Sequence, residues 1–512
     1  MIKSTTSKTD PFGRHCVALL AVVGAIAWLP LLNLIYLTRD EPLVAYMASE
    51  GLLTYLQTSY NDNGIWRIVG NYLCGLPALL PIQVVQLIKI GSIIGSGILF
   101  YKLLRLLKLP YQIAYVCALL LIVLPGNFTV VPFSDRFHYT ANLFCNMIAL
   151  YLISVYARNI SSTSTIHKVL LGILIFFLSL LSLLIIETSL VLHIFAPLLV
   201  PALLFRGLPG NLNFRNILKL LLQNYYLALP GIASVFYYLL YKLTLPADSW
   251  RSLPKSFDYS ALVTYTLYFL DVQRVLYTPL LSEHAPTLLS EGLLHLTSLI
   301  FLLLIPSLVL LPRSKKVASS DKSAHTPRTI FILGIISCGF AILMNSAFYV
   351  IVGIMSGGRL FFAAHPYFIL GAVLLLYVIF TKWVVNLSLI SLTLVAMILF
   401  VPVIWINIGY AIYEARVTNS FIDHAIENDI EGELHIDWPS LLSNDTFPSR
   451  SWRIGGFRSQ WALQFLMHYK LDNPVGLENE YIFENISNPS NDQQLPIYTF
   501  KENGWTRLPP TE

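Results

Sequence analysis

Charged residues make up only 12% of the 512 positions, where soluble domains carry roughly 25%. Hydrophobic residues make up 56%, and the mean hydropathy is +0.66. Too little polar surface is left to cover a water-soluble globule of this length, which excludes that class. A bilayer lifts the requirement, because side chains that face lipid should be apolar. Cysteine is sparse as well. Cys16, Cys74, Cys117, Cys145 and Cys338 lie mostly in apolar runs, and none makes a pair with metal-ligand spacing, so they read as small buried hydrophobes. Residues 412–512 have no cysteine and need no disulfide. There is no nucleotide-binding motif, no internal repeat of the kind common in secondary transporters and no low-complexity tract, and no nucleic-acid partner is expected.

What the chain does have is long apolar runs. A membrane helix needs about 20 mostly apolar residues, and candidate spans fall at 16–37, 82–104, 111–125, 139–157, 168–186, 188–205, 222–243, 291–312, 329–354, 361–380 and 385–411. The expectation is an all-α membrane domain of about eleven transmembrane helices over 1–411, followed by a small α+β domain over 412–512. The first span is too long in its apolar region for a cleavable signal, and no small-residue cleavage site follows it. The net charge of +5 is unevenly laid out: residues 1–411 hold 26 Lys+Arg against 13 Asp+Glu, and residues 412–512 hold 7 against 15. With the N-terminus in the cytosol, 17 Lys+Arg fall at cytosolic ends and 8 in the opposite loops, while Asp10 and Asp321 are the only acids on the cytosolic side. That is the positive-inside pattern. It places the tail outside, together with loops at 38–81, 126–138, 244–290 and 355–360. Loops held on a rigid scaffold carry function, so chemistry is expected on that face. Lys89, two turns into the second span, is expected to snorkel outward.

The first loop opens on Asp40-Glu41-Pro42 at the membrane boundary. Pro42 suits the first turn of a helix, and Leu43, Val44, Tyr46, Met47, Leu52, Leu53 and Leu56, mixed with Ser49, Glu50 and Gln57, read as an amphipathic interfacial helix. Asn61-Asp62-Asn63-Gly64 is a turn signal, and a second short helix near Trp66 carries Arg67. An acidic pair after the first helix, and an external loop of interfacial helices with a Trp-Arg pair, resemble the C-type (GT-C) superfamily of membrane glycosyltransferases. The likeness is to the bacterial branch that includes the lipid A aminoarabinose transferases and the protein mannosyltransferase-like enzymes. It covers the topology of residues 1–411 and these short motifs. It implies a GT-C-like fold in a bacterial inner (plasma) membrane. It also implies transfer of a sugar from a polyprenyl-phosphate donor to a glycan, lipid or protein acceptor on the extracytoplasmic face, with inversion.

The resemblance assigns roles residue by residue. Asp40 and Glu41 match the family's acidic motif. A hydroxyl is a poor nucleophile, and a carboxylate within reach takes its proton as attack proceeds; Glu41 would assist, holding a sugar hydroxyl or, with Asp40, a divalent cation. The bland alternative is a solvated pair at a helix start. In Pro132-Phe133-Ser134-Asp135-Arg136-Phe137-His138-Tyr139, Asp135 loosely matches an acidic position that contacts the acceptor or a metal, and Arg136 would grip phosphate bidentately; an Asp–Arg surface pair is the alternative. His138 reads equally as an interface-seeking aromatic or a site group. Glu187 splits the fifth span from the sixth, and an ionisable group at membrane depth marks a pathway or a polar partner, with His193 the candidate partner; a plain hairpin turn is the alternative. Arg359, after Ser356-Gly357-Gly358, looks like the family's late-loop phosphate contact, stabilising charge on the leaving oxygen, or else anchors lipid headgroups. Arg67 joins Arg359 and Arg136 in the expected phosphate set. Lys242, Arg251, Lys255 and Arg274 are further phosphate candidates.

In the tail, residues 435–438 and 480–484 read as short strands, 496–500 followed by 503–505 as a terminal strand and turn, and 460–470 as a helix. Glu427, Asp429, Glu431 and Glu433 form an acidic patch, read as a solvated face or a calcium site. Two rival functions stay open: a lipid-linked glycan polymerase or ligase, which would rely on Arg-rich long loops, and a transporter or flippase, which would place paired charges or broken helices at the midplane.

Overall fold

The computed structural model describes residues 11–34, 51–124, 127, 130–131, 136–159, 164–190, 192–193, 228–246, 327–352, 362–379, 389–428, 434–436, 483–484, 497–501 and 504–507. Eleven helices of eight or more residues lie among them: α1 (Pro11–Trp28), α2 (Leu52–Asn63), α3 (Ile68–Gly75), α4 (Ile82–Leu106), α5 (Tyr111–Val123), α6 (Phe137–Asn159), α7 (Thr165–Ile185), α8 (Leu229–Thr244), α9 (Pro327–Val352), α10 (His365–Ile379) and α11 (Leu389–Glu427). Short 3-10 turns follow α1 at Leu29–Asn33, α3 at Leu76–Ala78 and α7 at Glu187–Ser189.

Four described helices are long and apolar enough to cross a membrane: Gly13–Asn33, Ile82–Leu106, Thr165–Ile185 and Pro327–Met344. Tyr111–Val123, His365–Ile379 and Ser391–Trp405 are shorter apolar helices. These helices fit an integral membrane protein. The expected span at 291–312 and most of 188–205 lie outside the described residues. α7 shows what lipid asks of a helix. Ile166, Val169, Leu170, Ile173, Leu174, Phe177 and Leu181 form an exposed apolar stripe, while Gly172, Ile175, Ser179, Ser182 and Leu183 are buried on the opposite side. In water such a stripe is a liability; in a bilayer it is solvated.

The centre of the bundle is α5. Ile113, Ala114, Tyr115, Cys117, Ala118, Leu119, Leu121, Ile122 and Val123 are all buried, as expected of a helix that is hydrophobic all round. It packs against α1, α4, α10 and α11. Polar side chains here bind backbone or each other, because no water is present to compete. The Trp28 indole donates to the Ile122 carbonyl at 2.9 Å, and Trp405 donates to the Ile26 carbonyl at 3.0 Å. Thr393 gives its proton to the Leu389 carbonyl, so the Tyr115 hydroxyl is the donor in the 2.6 Å bond between them.

Two expectations change. α11 does not stop at 411, where composition shifts, but runs 39 residues to Glu427. That is about 58 Å of helix, well beyond the about 30 Å of a hydrocarbon core. The helix touches β4 of a small sheet of β1 (Leu434–Ile436), β2 (Phe483–Glu484), β3 (Ile497–Lys501) and β4 (Gly504–Arg507), in the order β2-β1-β3-β4. β1 is parallel to β2 and β3, and β3 pairs antiparallel with β4. The expected helix at 460–470 lies outside the described residues. Lys89 is the second change. It does not snorkel: its side chain is fully buried, and Nζ donates to the Val130 carbonyl at 3.4 Å. Val130, which accepts that bond, is itself buried, so the ammonium ends inside the protein.

Candidate functional site

The ends of α3, α6, α7 and α8 meet at one end of the bundle, and the first loop is what joins them. α2 runs through Asn61-Asp62-Asn63 and stops at Gly64, with φ at 62°. The turn therefore comes at 64–67, later than the Asn-rich signal suggests. Gly64 sits against the C-terminus of α8: a Cβ there would stand 2.5 Å from the Thr244 carbonyl oxygen. The Ile65 N–H donates to the Thr244 hydroxyl at 3.1 Å. The Asn71 amide donates to the Ser59 hydroxyl, which ties α3 back to α2.

Arg67 opens α3 in a left-handed conformation, φ 50° and ψ 28°. An L-residue there stores about 1–3 kcal/mol of strain and keeps it only where its surroundings over-determine it. They do. Nε and Nη2 of Arg67 donate to the two Glu187 oxygens at 2.8 and 2.7 Å, a bidentate pair in which the side chains are 14% and 8% exposed. The guanidinium also lies 4.2 Å over the Trp66 ring, a cation–π contact. Burial alone would weaken the Arg67 charge, but Glu187, with Tyr139 and Tyr237 nearby, more than offsets it and drives its pKa upward. The Nε–Nη2 edge of Arg67, a residue expected in the phosphate set, is thus engaged by Glu187. The partner of Glu187 is Arg67 and not His193.

α3 then lies flat on α6 and α7. Gly70 allows this, since a Cβ at that position would run into the Ile185 carbonyl oxygen. One turn on, Cys74 Sγ lies 3.0 Å from His138 Nδ1, with both residues buried. His138 is therefore packed inward against the first loop rather than facing an interface. Burial, then the neighbouring Cys74, push the Tyr55 phenol upward.

A further polar layer lies behind Glu187. Asn142 Nδ2 donates to the Ser182 and Ile186 carbonyls at 2.7 and 3.3 Å and to the Ser189 hydroxyl at 3.2 Å, which caps the C-terminus of α7 and fixes the turn that presents Glu187. Asn146 donates to Asn142 Oδ1 at 2.9 Å. Ser182 gives its proton to the Ser179 carbonyl, so His193 Nε2 carries the hydrogen in the 2.6 Å bond to Ser182. Asn142, Ser182, Ser189 and Cys74 were not selected from sequence. The signal was there in Asn142 and Asn146, four residues apart in an apolar helix, where polar groups hold neighbouring helices.

Of the sequence-selected groups, the structure brings together Arg67, Glu187 and His138. Arg136 is half-buried immediately before α6, and Lys242 lies near the Tyr238 and Tyr241 rings in the last turn of α8. Asp40, Glu41, Asp135, Arg251, Lys255, Arg274 and Arg359 lie outside the described residues. Among the described residues no three His, Cys, Asp or Glu side chains are placed to hold a metal.

No family model matches the chain, and no curated protein does. Among solved structures, the apo crystal structure of the Archaeoglobus fulgidus oligosaccharyltransferase is similar over 90% of this chain, with 13% identity and a TM-score of 0.38. The chain spans 64% of the length of that structure. At this level of likeness it assigns the chain no family.

Proposed function

We propose that this chain is a membrane glycosyltransferase that takes a sugar from a polyprenyl-phosphate donor and passes it to a glycan, lipid or protein hydroxyl at the end of the bundle that carries the first loop. The reading is supported above all by one observation. Arg67 and Glu187, charged groups 120 residues apart in segments chosen separately, join in a buried pair where that loop docks on the bundle. In the proposed reaction the acceptor oxygen attacks C1 of the sugar, the bond from C1 to the phosphate oxygen breaks with inversion, and polyprenyl phosphate leaves. Asp40 takes the acceptor proton as the new bond forms. Glu41 holds a sugar hydroxyl, and Asp135 orients the acceptor. Arg359 and Arg136 meet the charge that grows on the leaving phosphate, where stabilisation lowers the barrier most, and Arg67 adds its remaining Nη1 edge. Asp40 and Glu41 are also the proposed holders of a divalent cation, which when bound would neutralise phosphate charge.

The test is transfer of labelled sugar from a polyprenyl-phosphate sugar by the purified protein. Asp40→Asn should lower the rate by a factor on the order of 10²–10⁴, the usual worth of a general base, and leave donor binding intact. Transfer at the wild-type rate by Asp40→Asn contradicts the proposal.

A further inference from the structure

Arg67–Glu187 is the one ion pair among the described residues, and it lies where the first loop is fastened. Other fastenings among the described residues are uncharged, among them the Gly64–Thr244 contact, the Ile65–Thr244 and Asn71–Ser59 bonds and the close approach of Gly70 to Ile185. Glu187 itself is held from behind. Asn142 ties the residues on either side of it, Ile186 and Ser189, to α6. The carboxylate grips the Nε–Nη2 edge of the guanidinium and Trp66 covers a face, so Nη1 is the edge turned away from Glu187. No described residue accepts a hydrogen bond from it.

We infer that Glu187 is a positioning residue: it pins Arg67, and through it the first loop, so that Nη1 of Arg67 is presented to the phosphoryl group of a prenyl-phosphate lipid. This inference rests on the glycosyltransferase reading and gives Glu187 a part in it. The alternative is that Glu187 competes with phosphate for Arg67, and the two predict opposite signs. A positioning carboxylate strengthens phosphate binding. A competing one weakens it.

Full-length protein in lipid nanodiscs is titrated with farnesyl phosphate and, as the uncharged control, farnesol. In parallel, the rate at which a maleimide labels Cys74, 7% exposed in the docked state, is followed by peptide mass spectrometry. Wild type should prefer the phosphate. Glu187→Gln should weaken that preference roughly tenfold or more, the scale of a lost charge-assisted bond, and speed Cys74 labelling, because an unpinned α3 exposes it. Glu187→Asp should restore part of both. Removing one partner of a buried pair can unfold a protein, whereas replacing both by apolar residues is often tolerated. Arg67→Leu with Glu187→Leu is therefore the second variant, and it should fold and lose the preference. Tighter phosphate binding in Glu187→Gln, both readouts unchanged in that variant, or a folded double variant that keeps the preference would each overturn the inference. Equal binding of farnesol and farnesyl phosphate by wild type would overturn the donor assignment and this inference together.

Discussion

Gly70 is where one added methyl group would do most to the site. Its Cα faces the Ile185 carbonyl closely enough that a Cβ must push α3 away from α7. The obstacle is backbone at a helix end, which has little room to yield. Gly70→Ala is expected to lower stability by about 1–3 kcal/mol, the range for an overpacked interior, and to speed maleimide labelling of Cys74; thermal unfolding and the labelling rate measure the two effects. At this scale the sequence revealed candidates but not partners. Glu187 stood out as a lone acid between two apolar runs, and Arg67 as a charge beside Trp66. Their pairing depends on how α3 docks, which no local pattern encodes. Nearness in sequence favoured His193 as the partner of Glu187, and the docked loop favoured Arg67. Lys89 failed for a related reason: snorkelling assumes an open route to the surface, and the carbonyl of buried Val130 holds the ammonium inside instead.

Among the helices, the end of α4 allows a clean test. The Leu109 N–H bonds to the Leu104 carbonyl and the Lys108 N–H to the Arg105 carbonyl, the paired bonds of a Schellman cap. Leu104 and Leu109 are both buried. The cap calls for a left-handed residue at 108, and Lys108 adopts φ 60° there, where glycine would fit without strain. Lys108→Gly should raise stability by about 1 kcal/mol, read as a higher Tm in detergent, with no change in sugar transfer, because this cap and the site lie at opposite ends of α4. Helices were the legible part of the chain. Runs expected at 82–104, 111–125 and 139–157 correspond to α4, α5 and α6, because an apolar run of fixed length is a local property. Ends were less legible. α2 continues through Asn61-Asp62-Asn63 until Gly64 supplies the needed φ, and α11 keeps helical hydrogen bonds for 16 residues past the point where its composition turns polar.

For the whole molecule, low charge and high hydropathy state the membrane environment, and the exposed stripe on α7 is its structural counterpart. The claim at this scale is that charged groups from separate loops converge on one site. Arg67 and Glu187 do so. Asp40 and Arg359 are proposed to join them, as the charge bias of the sequence leads one to expect. The most direct measurement replaces Asp40 and Arg359 by cysteine in a protein whose five native cysteines are changed to alanine, and treats it in membranes with a short bifunctional maleimide. Arg67→Cys with Glu187→Cys serves as the positive control. The account predicts an intramolecular cross-link between positions 40 and 359. No cross-link between 40 and 359, with the 67–187 control intact, would contradict it.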